Sequence, residues 1–475
     1  MIGIYLAGAF VIAGLLFFNR NKVLNYLLVM AFLCLQTGFT VYEYQHINTI
    51  ELGYFSADAL GILLLITLTI ISVPAMYHSY VYLSDKHDNP RHRAFYFAAM
   101  VILLTALSAA YLANHIAVTW IFVELTTLSA SVLIYHRRNA NSLEGTWKYV
   151  FVCAISITLV FIGILFLSFA SRQAGTDDLS FAVLLKKAPE LNLFWLRLAF
   201  IFIFTGFTAK LGLVPMYTAG IDAKDKAPSP AGALLSSVLM NVGFAGIFRF
   251  YVVVANSPLH SWANHVMLIA ALMSIFVATV YMTKVKNIKR MFAYSSIEHA
   301  GIVMLGLVAG GIGYYAAVLH IILHAFVKSG FFFQMGQIYR IYKSKSIYDV
   351  GNYFKYNLTG SIVMLLGFFS ATAMPPSGLF ISEFLIFRSL FEANYLAVLI
   401  IAILLLTIII WAFGKNIFKL LFSPAVGFNE DNIEKINPAE SLSQFILLGL
   451  VVYLGLNPPA EFVTLIQEAI KNLPH

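Results

Sequence analysis

Apolar residues recur in long runs from one end of the chain to the other, separated by short polar gaps. A bilayer core of roughly 30 Å needs about 20 apolar residues per helix, and with that ruler the pattern predicts about 14 transmembrane helices. The first six expected spans are Ile2–Phe18, Val23–Val41, Ala57–Tyr82, Phe95–Leu112, Ala117–Tyr135 and Trp147–Phe169. A longer loop, Ser171–Asn192, precedes Phe194–Pro215, Pro230–Val254, Trp262–Met282, Met291–Gly310 and Tyr314–Tyr339. Leu358–Phe391, Tyr395–Leu421 and Leu442–Leu456 complete the set, and a short amphipathic tail closes the sequence. No stretch reads as a soluble domain, so the expected fold class is an all-α polytopic membrane protein.

Two of these spans are interrupted. The seventh runs into Pro215 and then a polar loop ending in Ala227–Pro230. The twelfth contains Pro375 and Pro376, which delete two backbone donors and clash with the preceding turn. The breaks lie five spans apart, and an odd offset is what opposite orientation in the membrane requires. Broken helices in corresponding positions point to inverted repeats around an ion pathway at the midplane. The expected organisation is therefore helices 1–3 over residues 1–93 and a first five-helix repeat over 94–255. A second repeat covers 256–425, and a C-terminal helix with its tail covers 426–475.

Charge changes the picture by setting topology. Arg20 and Lys22 lie in the first loop, Lys86, Arg91 and Arg93 in the third, and Arg137 and Arg138 in the fifth. Lys284, Lys286, Lys289 and Arg290 fall in the ninth loop and Arg340, Lys343 and Lys345 in the eleventh, whereas the second, fourth and tenth carry no Lys or Arg. The positive-inside rule then places odd loops in the cytoplasm and both termini on the other side of a bacterial inner membrane. The sixth loop, with Lys186 and Lys187, breaks the alternation, partly balanced by Asp177, Asp178 and Glu190. The first run lacks a basic segment before it and reads as a retained helix rather than a signal peptide.

Composition agrees. Of 475 residues 60% are hydrophobic and 11% charged, against roughly 25% charged in soluble domains; mean hydropathy is +0.83. The net charge of +8 is no nucleic-acid signal, because the basic residues sit in interhelical loops. Cys34 and Cys153 lie inside apolar runs, without a CxxC or Cys/His cluster, so no iron–sulfur or zinc set is visible. Nor is there a phosphate-binding loop or a nucleophile–His–acid set. No cofactor and no metal is expected.

The candidate chemistry lies in ionisable residues at bilayer depth, where each costs a few kcal/mol and marks function by default. These are Glu124, Lys210, His299, His320, His324, Lys328 and Glu383. Steps of four residues turn a helix by about 400°, so His320, His324 and Lys328 form one slanted ridge drifting by only ~40° per step. Such a ridge, with water between its members, can pass protons. Glu124 and Lys210 invite pairing: at ~6 Å and a dielectric of 20 their attraction is about 3 kcal/mol, and separating them becomes a switch.

At these residues the sequence resembles a known family. WIFVELTTLSASVLI, TGFTAKLGLVPM, APSPAGALLSSVLMNVGFAGIFR, KNIKRMFAYSSIEHAGIVMLG, HIILHAFVKSGFFFQMG and MPPSGLFISEFLI occur in order over roughly Trp120 to Arg388. They are similar to the proton-conducting antiporter-type subunits of respiratory complex I, multisubunit sodium/proton antiporters and group 4 hydrogenases. The branch that looks closest holds component F of hydrogenase-4. The resemblance implies a proton-transfer role for Glu124 and Lys210, a central relay of His299, His324 and Lys328, and an exit-facing acid at Glu383. It also implies other membrane and peripheral subunits as partners, with the redox reaction on those chains. The sequence departs from the family at Asn241, where many relatives carry lysine, and at Tyr217 and Lys224, which replace histidines. Asn241 cannot titrate but can hydrogen-bond a water wire. Two alternatives stand beside the redox-driven proton subunit: a sodium/proton antiporter or bicarbonate-linked module driven by an ion gradient, and a membrane anchor with a degenerate channel.

Overall fold

The structure is a computed structural model describing residues 1–84, 89–425, 428 and 433–474. Lys86 and part of the expected 426–475 segment lie outside the described residues. The apolar runs become helices in the expected order: α1 (Ile2–Phe18), α2 (Lys22–Gln45), α3 (Ala59–Tyr82), α4 (Pro90–Leu112), α5 (Ile116–Ile134) and α6 (Ala140–Gln173). Then come α7 (Phe181–Lys187), α8 (Leu193–Leu211), α9 (Thr218–Lys226), α10 (Ser229–Ser236), α11 (Val238–Ala255), α12 (His260–Lys284) and α13 (Ile288–Ala309). The chain ends with α14 (Ile312–Tyr342), α15 (Tyr353–Tyr356), α16 (Leu358–Ala371), α17 (Gly378–Glu392), α18 (Leu396–Phe422), α19 (Leu442–Leu456) and α20 (Ala460–Ile470).

Among the described residues 12 candidate spans are long and apolar enough to cross a bilayer, and α1 and α16 are shorter apolar helices. The polar gaps supply the caps that start many helices. Asn21, Asn89, Asn139, Asn192, Asn287 and Asn357 each accept a hydrogen bond from a first-turn amide of the helix that follows, satisfying donors that a helix start leaves open.

Four local features differ from the sequence reading. A small antiparallel hairpin, β1 (Ile50–Glu51) with β2 (Phe55–Ser56), occupies the gap before α3; Leu52 and Gly53 turn it with positive φ. The loop Ser171–Asn192 contains α7, and its first residues belong to α6. The polar stretch after Pro215, read as loop, is helical as α9, because Ala219, Ile221 and Ala223 supply buried positions within it. The eighth expected span is two helices, α10 and α11, separated at Ser237. The breaks at Pro215 and at Pro375 and Pro376 are observed: α8 stops at Leu211 and α16 at Ala371.

The helices form two compact units. The first holds Met1–Ala227, Val238–Val266 and Glu461–His475. In it α6 lies so close to α8 that a Cβ on Gly206 would stand 2.5 Å from the Ser156 carbonyl oxygen and 3.0 Å from the Val160 nitrogen. On the other flank of α8, a Cβ on Gly243 of α11 would stand 2.9 Å from both the carbonyl carbon and Cβ of Lys210. The second unit holds Pro228–Ser237 and Met267–Ala460. Its centre is the pair α13 and α14, whose most apolar stretches are fully buried. By contrast α6 and α18 turn Phe151, Phe161, Leu404 and Trp411 outward, as lipid-facing helices do.

Candidate proton-transfer site

Each unit buries its own titratable constellation. In the first, α8 ends one residue beyond Lys210, and the break behind it leaves the ammonium facing α5 and α6. Lys210 Nζ donates to Thr127 Oγ1 at 2.8 Å, to Tyr149 OH at 3.2 Å and to Thr126 Oγ1 at 3.3 Å. Thr126 spends its own hydrogen on the Val123 carbonyl at 2.6 Å, and Thr127 points at the same oxygen at 3.4 Å. Both threonines thus present lone pairs to the ammonium, an acceptor cage for a cation. Among the described residues no carboxylate lies within 4 Å of Lys210 Nζ. Glu124, one turn before Thr127 on α5, is near enough to interact electrostatically with Lys210, and its Oε2 is buried without a hydrogen-bond partner. The pairing expected of Glu124 and Lys210 thus runs across a hydroxyl layer.

Asn241 on α11 is fully buried, and neither amide atom has a hydrogen-bond partner among the described residues. Lys224, on α9 inside the break, is also buried and has Nζ 3.2 Å from Met240 Sδ. A third buried cation, Arg249, is structural. It grips Asp58, the N-cap of α3, through Nη2 at 2.7 Å and Nε at 3.2 Å, and donates through Nη1 to the Ala113 carbonyl at 3.1 Å.

In the second unit the ridge on α14 packs against Phe292, Ser295 and His299 of α13, which recur on one face of that helix. Lys328 Nζ donates to Ser295 Oγ at 2.7 Å and approaches the Phe292 carbonyl at 3.5 Å. The rings of His324 and His299 lie 5.1 Å apart. His299 Nδ1 and His320 Nε2 are 3.0 Å apart, and His320 Nδ1 meets Ser382 Oγ at 2.9 Å. Ser382 Oγ donates to the Leu379 carbonyl at 3.0 Å. Its hydrogen being spent, Ser382 accepts from His320 Nδ1–H, so His320 Nε2 is a bare lone pair. His299 Nδ1 then carries the hydrogen between the rings, and the chain runs in one direction from His299 through His320 to Ser382.

The break between α16 and α17 delivers Ser382 and Glu383 to this chain, with Glu383 Oε1 3.9 Å from His299 Nδ1. Glu298 Oε1 lies 3.7 Å from the same nitrogen. Glu298 and Ser382 escape the sequence reading; the usable signal for the first is a carboxylate beside a histidine within an apolar helix. A cavity of about 230 Å³, lined by both Glu298 and Glu383 together with Thr372, Phe384 and Thr407, opens beside the chain.

A family model described as NADH:quinone oxidoreductase/Mrp antiporter, transmembrane, matches residues 113–409. The chain is 29% identical over 409 residues to a hydrogenase-4 component F homolog of Methylacidiphilum infernorum, covering 83% of this chain and 84% of that protein. It is 25% identical over 456 residues to NADH-quinone oxidoreductase subunit N of Halorhodospira halophila, covering 94% and 90%. A chain of the membrane-bound sulfane sulfur reductase, an archaeal respiratory membrane complex, superposes with a TM-score of 0.87 at 18% identity, covering 99% of this chain and 97% of that one.

Proposed function

Since the chain belongs to the NADH:quinone oxidoreductase/Mrp antiporter transmembrane family, we propose that it carries protons across the bilayer as one subunit of a larger redox-driven complex. It is a multi-pass membrane protein, and its relatives are named as components of multisubunit enzymes. In this reading the redox centres sit on partner chains of a hydrogenase-4-like or quinone-reductase-like assembly. The membrane is, in the same reading, a bacterial inner membrane, and the alternating loop charges support both termini outside. The proline-marked breaks in each half support inverted repeats over 94–255 and 256–425, and about 14 crossings in all.

The observation that carries the reading is the one-directional chain His299–His320–Ser382. A proton reaching His299 from the Lys328–His324 side is already hydrogen-bonded, over 3.0 Å, to the lone pair that receives it. That distance lies within the reach that proton transfer requires. Glu383 stands beside His299 as the acid that takes the proton onward. Lys210 in its acceptor cage plays the carrier in the first half, with Glu124 as its separated counter-charge. Asn241, with its amide unspent, is the place for a hydrogen-bonded water. Paired imidazoles suit protons better than sodium, a hard cation that prefers oxygen ligands, and this weighs against the sodium alternative. Burying so many charges also costs too much for an inert anchor.

Proton uptake into vesicles carrying the assembled complex tests this. His320→Gln should abolish uptake while redox turnover continues or slows. Full uptake by an assembled His320→Gln complex would remove the chain from the pathway.

A further inference from the structure

The residues that make the relay also make a metal site. We propose that His299 Nδ1, His320 Nε2 and the Glu383 carboxylate bind one zinc ion within the second unit. Their ligand atoms all lie within 4.8 Å of one another. Zinc bonded at ~2.0–2.1 Å in a tetrahedron sets its ligands about 3.3 Å apart. The two nitrogens stand at 3.0 Å, and His299 Nδ1 stands 3.9 Å from Glu383 Oε1. The nitrogens must part by about 0.3 Å and Glu383 must approach by about 0.6 Å on its His299 side and by up to about 1.5 Å on its His320 side, side-chain movements that complete three of the four positions.

Three further features fit. Charge is offset: Glu298 Oε1, 3.7 Å from His299 Nδ1, adds a second carboxylate against a dication, with Lys328, among the described residues, the one cation of the cluster facing both carboxylates and histidines. Orientation is preset: Ser382 holds His320 Nδ1–H and leaves Nε2 bare toward the site, the arrangement that fixes metal-bound histidines in the right tautomer. Access exists through the cavity lined by Glu298 and Glu383. Two imidazoles with carboxylates select a borderline ion such as zinc over magnesium or calcium. The sequence could not show the set, since positions 299, 320 and 383 lie far apart along the chain and no Cys/His spacing links them.

Binding requires His299 to carry its ring hydrogen on Nε2 instead of Nδ1, and it puts a metal where the two histidines share their hydrogen. Zinc and a transferred proton therefore exclude each other. This consequence rests on the proton-relay reading, while the binding does not.

The test titrates the purified full-length chain with zinc against a chromophoric chelator. One equivalent should bind per chain. His320→Gln and Glu383→Gln should remove that equivalent, and the exposed control His265→Gln should keep it. Ser382→Ala leaves every ligand in place and should weaken binding 10–100-fold, with Ser382→Thr restoring it. Failure of the wild-type chain to bind one equivalent would overturn the proposal, as would unchanged affinity in Ser382→Ala if His320→Gln fails to fold. Zinc is then added to vesicles carrying the complex. Inhibition of uptake is expected; zinc that binds at this site without inhibiting would sink the relay reading and leave the metal site standing.

Discussion

Arginine in place of Lys210 separates the charge of that residue from its ability to give up a proton. Lys210 Nζ donates to three hydroxyls at 2.8, 3.2 and 3.3 Å. Hydrogen bonds to a charged group contribute about 1.5–3 kcal/mol each, so the cage supplies roughly 5–9 kcal/mol gross. Desolvating the buried ammonium costs several kcal/mol in the opposite direction. The two largely cancel, so Lys210→Met should fold and assemble with stability within about 2 kcal/mol of the parent. Lys210→Arg keeps the cation and can still use the acceptor oxygens, but a guanidinium does not deprotonate. Both variants should lose proton uptake by about 100-fold or more, the low end of what a positioned proton-transfer group contributes. The assay is uptake into vesicles carrying the complex, with assembly checked on native gels and redox turnover followed in parallel. Uptake at the parent rate by an assembled Lys210→Arg complex would refute the carrier role, because the residue would then serve only as a fixed charge.

Gly243→Ala should destabilise the solubilised chain by about 1–3 kcal/mol in thermal unfolding, since its methyl meets the backbone of α8 at Lys210; an unchanged melting temperature would show that α11 gives way. Asp58→Asn should cost up to the ~3 kcal/mol low end for broken buried pairs, Asp58 being 41% exposed, read by the same melt. Asn241→Ala should reduce uptake less than Lys210→Met does, because a water wire survives the loss of one hydrogen-bonding side chain; equal losses would make Asn241 a position the proton cannot bypass. A reporter fused to the C-terminus should signal outside the cytoplasm, and a cytoplasmic signal would exclude the arrangement with both termini outside.

The helices and the proline breaks were legible because hydropathy at bilayer depth and the loss of backbone donors are strong, local signals. The ridge of His320, His324 and Lys328 was legible because helical periodicity is fixed. Its partners were not. Thr126, Thr127 and Tyr149 are ordinary small polar or aromatic residues in apolar helices, and only the fold shows that their lone pairs converge on Lys210. Glu298 neighbours His299 in sequence, and adjacent helix positions point about 100° apart, so nothing local says that both would reach one site. The hydroxyl layer between Glu124 and Lys210 was equally invisible, since attraction between opposite charges says nothing of what stands between them. The helix α9 was hidden by polar composition, because its apolar positions are few and it is short.

The close contacts at Gly206 and Gly243 sort the groups around Lys210 by the helix that carries them. α8 meets α6 on one flank and α11 on the other at separations that leave no room for a side chain. Tyr149 on α6 and Lys210 on α8 therefore sit on helices whose backbones touch. Glu124, Thr126 and Thr127 all ride on α5, which meets α4 and α6 without a glycine at either contact. A displacement of α5 against that pair would carry the counter-charge and two of the three hydroxyls together relative to Lys210.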